Sequence, residues 1–418
     1  MKTEPAKRGI HYGFIIVACC CLMMGVNVGL TFSCAGIFYR PVSESLGIAV
    51  GEFGIYMSVM YVTSTLMLPL AGNMLEKYSS RWLFTLSSAL MGVTFVGMGL
   101  ADKVWEFYIA GGILGVTLAF LLYLSFPTLV NRWFRTKVGL MIGICSAASG
   151  IGGMIFNPIA GLMITDWGWR WAYGMFGAII LVIVTPLLAI LLRDRPSDKG
   201  LLPYGANMKV SGEGKGADPM QGAKNPDGVS YATALRSPLF YLLILFAFIM
   251  MGTSTLNLFI PGYISDNGFS VEQASLAAAA VMGGVTVGKL VLGWINDRNC
   301  RVGVIVTTLF GIVGLGILIA GYSGFLFLLC GAFLFGWAYA GVTVQTAMLT
   351  RSVFGARDYA RIYSNISIAL AAGGAVASGG WGLLADGTSS QFIFTCGMIC
   401  LGICLLIGLW SLRKRTTV

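Results

Sequence analysis

The sequence predicts an all-α membrane protein of twelve transmembrane helices arranged in two six-helix bundles. Three observations lead to this fold class: long uncharged apolar runs, one long polar segment that divides them six and six, and basic residues concentrated on one side. Of 418 residues, 57 % are hydrophobic and 11 % are charged, whereas about 25 % are charged in a typical soluble domain. So few charges cannot cover a water-soluble surface.

Each predicted span is an apolar run of about 20 residues, the length that crosses a hydrocarbon layer ~30 Å thick. The run after the basic N-terminal stretch is longer than the ~7–15 apolar residues of a signal peptide, so we expect it to be retained as span 1. The twelve runs, bounded by charges, Gly or Pro, are 12–38, 51–74, 82–101, 107–130, 139–163, 171–192, 237–263, 273–295, 302–321, 324–349, 361–384 and 391–411.

The only long polar segment, Arg193–Arg236, lies between spans 6 and 7 and is rich in Gly, Pro, Lys and Asp. This composition is typical of a flexible linker. We therefore expect an N-terminal bundle in residues 1–192, a linker in 193–236 and a C-terminal bundle in 237–418.

The basic residues predict the orientation. Of the 27 Lys and Arg residues, 23 lie in the chain ends and loops on the side of the linker, three lie on the other side, and Lys289 lies inside a span. This bias predicts a multi-pass protein of the cytoplasmic (inner) membrane with both termini in the cytoplasm. It also explains the net charge of +10 without nucleic acid, which we do not expect to be a partner.

The sequence does not predict an enzyme, a metal site or a cofactor. Most of the ten cysteines lie inside apolar runs, the only histidine is His11, and no Cys-x-x-Cys pair is present. There is also no Ser/His/Asp or Cys/His set and no phosphate-binding loop in a strand–turn–helix context.

Two loops at equivalent positions of the halves, 221 residues apart, have related sequences: GNMLEKYSSR at 72–81 and GWINDRNCR at 293–301. Both resemble the G-x-L-x-D-R-x-G-R signature of the major facilitator superfamily, although the first has Glu and Lys in place of Asp and Arg. The resemblance implies a conformational latch of the outward-open state, in which an acid bonds basic groups or a helix N-terminus. Its residues would be Gly72, Glu76, Lys77, Arg81, Gly293, Asp297, Arg298 and Arg301.

Other stretches resemble the monocarboxylate transporter and oxalate:formate antiporter families within that superfamily. They are NRWF at 131–134 with the glycine-rich run that ends at Pro158, GWRWA at 168–172, and FGARDY at 354–359. The resemblance implies a secondary transporter whose substrate is a small organic anion.

Lys289 is the predicted anion-binding residue. It lies eight residues, or about 12 Å of helix, before Asp297, and an intramembrane cation costs several kcal/mol unless it is solvated or paired. All seventeen acidic residues fall in loops or at span ends, so the site would be electropositive and would attract an anion. By resemblance, this position, four before Gly293, matches the arginine that binds substrate carboxylate in both families. Alternatively, Lys289 snorkels to the interface or bonds to helix carbonyls.

Differences from the two families narrow the predicted substrate. The second cation of the oxalate carrier corresponds to Ile366 here, and the span 1 lysine and span 8 aspartate of animal monocarboxylate carriers correspond to Ser33 and Val285. One fixed cation best matches one negative charge, so we expect a monocarboxylate. Without a carboxylate at mid-depth, a coupled proton would travel on Lys289 or on the substrate, or anion would exchange for anion.

Polar and aromatic residues at mid-depth would complete the site as hydrogen-bond donors or apolar walls. Each could instead be an ordinary interhelical contact. The preferred three come first in the list: Tyr123, Asn157, Asn257, Asn27, Tyr61, Trp337, Gln345 and Asn365.

The sequence therefore predicts a secondary active transporter that moves a small organic anion by alternating access, as an exchanger or proton cotransporter. We expect a monomer in the lipid bilayer. Two alternatives remain open: a transporter or exporter of a larger amphipathic acid or neutral drug-like compound, and a transporter-derived sensor that signals through a partner.

Overall fold

The computed structural model describes residues 11–206, 228–320, 324–355 and 358–414. These ranges contain twelve helices long and apolar enough to cross a membrane, as predicted, six before residue 193 and six after residue 236. Spans 1 to 12 are Tyr12–Ser33, Val50–Leu75, Ser80–Leu100, Val104–Trp133, Leu140–Trp167, Trp169–Leu191, Pro238–Leu258, Val271–Arg298, Cys300–Ala320, Phe325–Phe354, Arg361–Ala385 and Ser390–Lys414. We call the side that holds residues 193–206 the linker face and the opposite side the distal face.

Local sequence determines where several spans begin. The Ser270 hydroxyl accepts a hydrogen bond from the Gln273 amide (3.3 Å), and the Gln273 side chain accepts one from the Ser270 amide (3.0 Å) at the start of span 8. Ser237 caps span 7, and Pro238 follows at a position where no N–H is needed. These caps satisfy helix-end donors that lipid could not.

Spans 1 and 7 are both interrupted toward the distal face. Span 1 changes to π-helical geometry over Met23–Ser33, bends at Cys34 and continues as a helix over Ala35–Leu46. Span 7 ends in a 3₁₀ turn at Thr255–Leu258 and resumes as a helix over Ile260–Asp266. The two bends lie at equivalent points of the halves, so the repeat seen in the loop sequences extends to the backbone.

Glycines allow the helices of each half to approach closely. A Cβ on Gly115 of span 4 would lie 2.6 Å from the Met60 carbonyl oxygen of span 2. In the second half, Gly284 of span 8 presses against the Phe333 carbonyl of span 10 in the same manner. Backbone-to-backbone packing of this kind is how helices associate in lipid, where no hydrophobic effect drives them together.

The halves meet most closely toward the distal face. The Arg40 guanidinium pairs with Asp266, joining the extensions of spans 1 and 7, and Glu44 accepts from Arg40 Nε at 2.6 Å. The Glu44 hydrogen bond, together with the Asp266 charge, raises the pKa of Arg40 above its usual value. Deeper in the bundle, the hydroxyls of Ser58 (span 2) and Ser378 (span 11) are 2.9 Å apart.

Toward the linker face the packing is more open. A Cβ added to Gly143 near the start of span 5, or to Gly293 near the end of span 8, would meet no atom of the described residues within 4 Å. On the distal side of the same pair, Gly161 of span 5 packs directly on Ser275 of span 8. Spans 5 and 8 are therefore tightly joined at the distal end and less constrained at the linker end.

Both ends of the predicted linker are attached to the bundle. Tyr204 exchanges backbone hydrogen bonds with Trp133 and Arg135 at the end of span 4, each 2.9 Å. The Val229 amide donates to the carbonyl of Phe354, the last residue of span 10, also at 2.9 Å. Linker residues 207–227 lie outside the described residues.

Candidate functional site

Lys289 crosses the boundary between the two halves. Its Cα lies on span 8, and its half-buried side chain reaches span 5, with Nζ 3.4 Å from the Ser146 carbonyl oxygen and 3.4 Å from Ser149 Oγ. Both distances are long for a hydrogen bond, for which 2.7–3.2 Å is typical. One acceptor is a helix carbonyl, as the alternative interpretation of this lysine expected. The ammonium is thus held loosely by neutral oxygens.

The close approach of spans 5 and 8 depends on a cluster of glycines. Gly150 packs on Thr286 and Gly153 packs on Met282, both of span 8, where larger residues would overlap these side chains. Gly152, on another side of span 5, lies against the backbone of Gly25 in span 1. Span 5 is therefore held between spans 1 and 8, and this brings its serines within reach of Lys289.

A line of polar groups leads from Lys289 toward the distal face. Ser149 Oγ donates to the Ser146 carbonyl (3.0 Å), and Ser33 Oγ of span 1 contacts the Ser149 carbonyl (3.5 Å). The Asn157 amide then donates to the carbonyls of Ser33 (3.0 Å) and Gly153 (2.8 Å). Asn157 Oδ1 is buried without a hydrogen-bond partner among the described residues. The line ties spans 1, 5 and 8 together with its polar groups inside the protein.

Two predicted site residues, Asn27 and Gln345, bond to side chains other than Lys289. Asn27 is fully buried and donates to Ser88 of span 3 (2.9 Å), which also contacts Thr185 of span 6. Gln345 is fully buried and accepts from Asn296 (2.9 Å), which lies two residues before the end of span 8. Each of these amides links two helices of its own half. Neither has a hydrogen bond across the boundary among the described residues.

Trp337 and Asn365 make no hydrogen bond to Lys289 Nζ among the described residues. The buried Trp337 ring packs on Gly288 of span 8 and on Phe310 of span 9, with 5.0 Å and a tilt of 59° between the two rings. Asn365 lies one turn from the start of span 11, rather than at mid-depth, and donates to the Tyr231 hydroxyl (3.2 Å). Asn365 lies close to the linker face because span 11 begins only four residues earlier, at Arg361.

Tyr61 and Asn257 lie where the halves meet. Tyr61 is 3 % exposed, contacts the Phe32 ring at 5.4 Å, and lies 3.0 Å from where a Cβ of Gly374 in span 11 would be. Asn257 is buried in the 3₁₀ turn next to Leu258, whose carbonyl contacts Gly36 in the helix that continues span 1. Tyr123 lies in the π-helical turn Ala119–Leu124 of span 4, and its side chain lies outside the described part of the chain.

The contacts described for the loop-motif residues all lie within their own halves. Arg81 donates to the Ala189 carbonyl, and its amide donates to Asp194, which fastens span 3 to the end of span 6. In the second loop, Arg298 stacks over Trp294 at 3.7 Å, and the Arg301 amide donates to Asn299. Asp297 of this loop and Lys77 of the first loop are exposed. A Cβ added to Gly72 would meet no atom of the described residues within 4 Å. The Glu76 side chain lies outside the described part.

Sequence reasoning missed Ser146 and Ser149. They are one helical turn apart in the run CSAASG of span 5, so they share a face. That spacing is a weak signal, because serine in a membrane helix usually bonds to its own backbone. Only the position of Lys289 on the neighbouring span distinguishes this pair.

The chain belongs to the Major Facilitator Superfamily, whose family model matches residues 14–263 and 242–418. This is a family of transporters and not of enzymes. The same fold occurs in a bacterial homologue of the human lysosomal transporter Spinster, solved in an inward-facing and occupied conformation. The TM-score is 0.72 at 12 % identity, and the match covers 97 % of this chain and 98 % of that one. A mutant of the nucleoside transporter NupG gives a TM-score of 0.70 at 12 % identity, covering 95 % and 99 %.

Among curated proteins, the chain is similar to monocarboxylate transporter 12 of Mus musculus, at 24 % identity over 317 residues, which is 71 % of this chain and 63 % of the relative. It is also similar to the probable transporter MCH2 of Saccharomyces cerevisiae, at 25 % identity over 53 % of this chain and 43 % of the relative. The chain thus spans less than two-thirds of the length of these relatives. The superfamily predicted from the loop motifs is confirmed. The resemblance to monocarboxylate transporters, predicted from the stretches at 131–134, 168–172 and 354–359, is confirmed as distant homology to monocarboxylate transporter 12.

Proposed function

We propose that this transporter moves a small organic monocarboxylate across the membrane by alternating access, with Lys289 as the anion-binding group. The observation that carries the proposal is the position of the Lys289 ammonium between spans 5 and 8, one from each half. A substrate bound there contacts both moving bodies, which is the arrangement that lets the halves rock about a central site. The distant homology to monocarboxylate transporter 12 supports the same substrate class.

The chemistry of the site favours a single negative charge. Lys289 has three N–H donors, and its contacts with Ser146 and Ser149 are long enough to be exchanged for a carboxylate. An ionised oxygen would form a shorter, charge-assisted bond. The Ser149 hydroxyl, one turn from the Ser146 carbonyl, could rotate to donate to the second carboxylate oxygen.

Neutralisation of Lys289 would couple binding to movement. An uncompensated ammonium is costly in the membrane interior, and a bound carboxylate removes much of that cost. The loaded carrier would therefore reorient more readily than the empty one, as in an exchanger or a proton cotransporter. Tyr61, Asn157 and Asn257 are the remaining proposed substrate contacts, together with Tyr123.

We further propose that the linker face is cytoplasmic and that the two loop motifs latch this face when it closes. The excess of Lys and Arg on this face supports the orientation. The exposed Asp297 and the open space at Gly293 are what an unlatched motif would present. We propose that the transporter acts as a monomer.

Uptake into liposomes tests the function. Purified protein should accumulate radiolabelled short-chain monocarboxylates, with weaker competition from dicarboxylates and from bulky amphipathic acids. Lys289→Gln should reduce uptake at least tenfold and Lys289→Arg should retain part of it. Lys103→Gln, which removes an exposed lysine of the distal face, is the matched control and should transport normally. Normal monocarboxylate uptake by Lys289→Gln, or a preference for bulky or neutral solutes, would exclude the proposal.

A further inference from the structure

A polar pocket opens at the linker-face end of span 11, away from Lys289. It is lined by Tyr231, Arg361, Ser364 and Asn365 and has a volume of about 370 Å³. Arg361 stacks over the Tyr231 ring at 4.6 Å, and the Tyr231 hydroxyl accepts from Asn365 (3.2 Å). Arg361 and Ser364 are exposed, so a cation and a hydroxyl lie at the surface of the pocket.

The face of span 11 that carries this pocket continues as an exposed apolar stripe. Positions 361, 364, 368, 372 and 376 recur every three or four residues and therefore share one face of the helix. Ile368 is 56 % exposed and Val376 is 63 % exposed. This stripe is thus available to lipid along the length of the span.

The other faces of span 11 are occupied by protein. Gly373 packs on the Phe248 backbone of span 7, and Gly374 packs on the Tyr61 ring of span 2. The exposed stripe lies away from both contacts, on the outside of the bundle. At its distal end Val376 enters an apolar groove of about 240 Å³, which Phe248 and Trp381 also line.

We propose that this pocket and stripe bind an anionic phospholipid of the linker-face leaflet. The phosphate would bond Arg361 and Ser364, and one acyl chain would follow Ile368 and Val376 into the groove. From Ser364 to Val376 the helix rises about 18 Å, comparable to the depth of one leaflet, which is half of ~30 Å. Polar headgroup contacts at the surface and apolar contacts below them match the two parts of a phospholipid.

The local charges agree with this ligand. The Asp358 carboxylate accepts from the Tyr231 amide at 2.7 Å and is not among the residues that line the pocket. In the described part of the chain, Arg361 is the charged residue of the pocket lining. Tyrosine beside a basic residue is also the usual combination at a membrane interface. A cation near the surface of an anionic leaflet contributes about 1 kcal/mol, or roughly fivefold in affinity.

The test is native mass spectrometry of the full chain, titrated with phosphatidylglycerol or with phosphatidylcholine. The wild type should bind phosphatidylglycerol with roughly fivefold higher affinity than phosphatidylcholine. Arg361→Gln should remove this preference, and Arg361→Lys should keep part of it. Arg236→Gln removes an exposed arginine on the same face, outside the pocket. This variant should keep the full preference for phosphatidylglycerol. The proposal would be overturned if Arg361→Gln preferred phosphatidylglycerol as strongly as the wild type does. It would also be overturned if Arg236→Gln lost this preference as fully as Arg361→Gln.

Two further arms examine the pocket and the source of the phosphate. Ser364→Trp keeps the charge but fills the pocket, so it should also weaken phosphatidylglycerol binding, and unchanged binding would contradict the proposed headgroup position. Inorganic phosphate and glycerol phosphate should not displace the lipid at equal concentration. Efficient displacement by either would identify a site for soluble anions and overturn the lipid proposal.

Discussion

Lys289 of span 8 and Ser149 of span 5 face each other across the boundary between the two halves, with 3.4 Å between Nζ and Oγ. The hydroxyl is itself oriented by the Ser146 carbonyl, to which it donates at 3.0 Å. The charged group is thus positioned by a residue of the opposite half, so a change in the relative position of the halves must change its surroundings.

Replacing Ser149 tests whether this hydroxyl belongs to the binding site. Ser149→Ala removes a neutral hydrogen-bonding partner of a charged group, worth about 1 kcal/mol, so KM should rise roughly fivefold. Ser146 contacts Lys289 through its backbone carbonyl, so Ser146→Ala preserves that contact and should leave KM within about twofold of wild type. Concentration-dependent uptake in liposomes measures both. A similar KM increase in the two variants would show that the Ser149 hydroxyl has no special role.

Adding a methyl group to Gly152 should destabilise the protein. Its Cβ would overlap the Gly25 backbone of span 1, and overpacking of this kind costs about 1–3 kcal/mol. Thermal unfolding in detergent should show a lower midpoint for Gly152→Ala. Gly143→Ala, on the same helix but facing open space, should unfold at the wild-type temperature. An unchanged midpoint for Gly152→Ala would mean that spans 1 and 5 are less closely packed.

A disulfide between positions 58 and 378 should stop transport. The two serine hydroxyls are 2.9 Å apart on spans of different halves, close enough for cysteines to be bridged. Oxidation of the Ser58→Cys/Ser378→Cys variant should lock the distal face closed, reduce uptake to background, and be reversed by a reductant. Each single variant is the control for the ten native cysteines. Full transport by the cross-linked protein would show that opening occurs elsewhere.

Neutralising Asp297 should slow reorientation without weakening substrate binding. The carboxylate is exposed in the present arrangement, so the proposed latch engages it only when the linker face closes. Asp297→Asn should lower the maximal uptake rate several-fold with KM within about twofold of wild type, because binding and reorientation are separate steps. Asp102→Asn, which removes an exposed carboxylate of the distal face, serves as the comparison. A KM increase with an unchanged maximal rate would argue against a latch.

The sequence predicted the number and order of the spans because lipid imposes a simple requirement of about twenty apolar residues per crossing. It also singled out Lys289, since a charge inside such a run is conspicuous. It did not predict the bends that follow spans 1 and 7. Cys34 has no side chain that signals a break. Pro261, at the start of the helix that resumes after span 7, is such a signal, but the predicted span ran through it to residue 263. Gly36 and Leu258 pack against each other beside the two bends.

The candidate site was harder to predict than the fold. Asn27 and Asn157 are the same residue type, both fully buried in spans of the first half. Yet the Asn27 amide bonds Ser88 inside its half, whereas the Asn157 amide joins span 5 to span 1 beside the partner half. Nothing local to either asparagine distinguishes these two outcomes.

The sequence by itself determined a twelve-span protein in two related halves with one cation inside the second. Only the tertiary structure decided which polar groups accompany that cation, and it selected Ser146 and Ser149 rather than Gln345 or Asn365. The physical reason is that a membrane helix is apolar on nearly all sides, so its pattern does not reveal which face meets protein and which meets lipid. Close glycine contacts between neighbouring spans fix that rotation, and they exist only in the folded bundle.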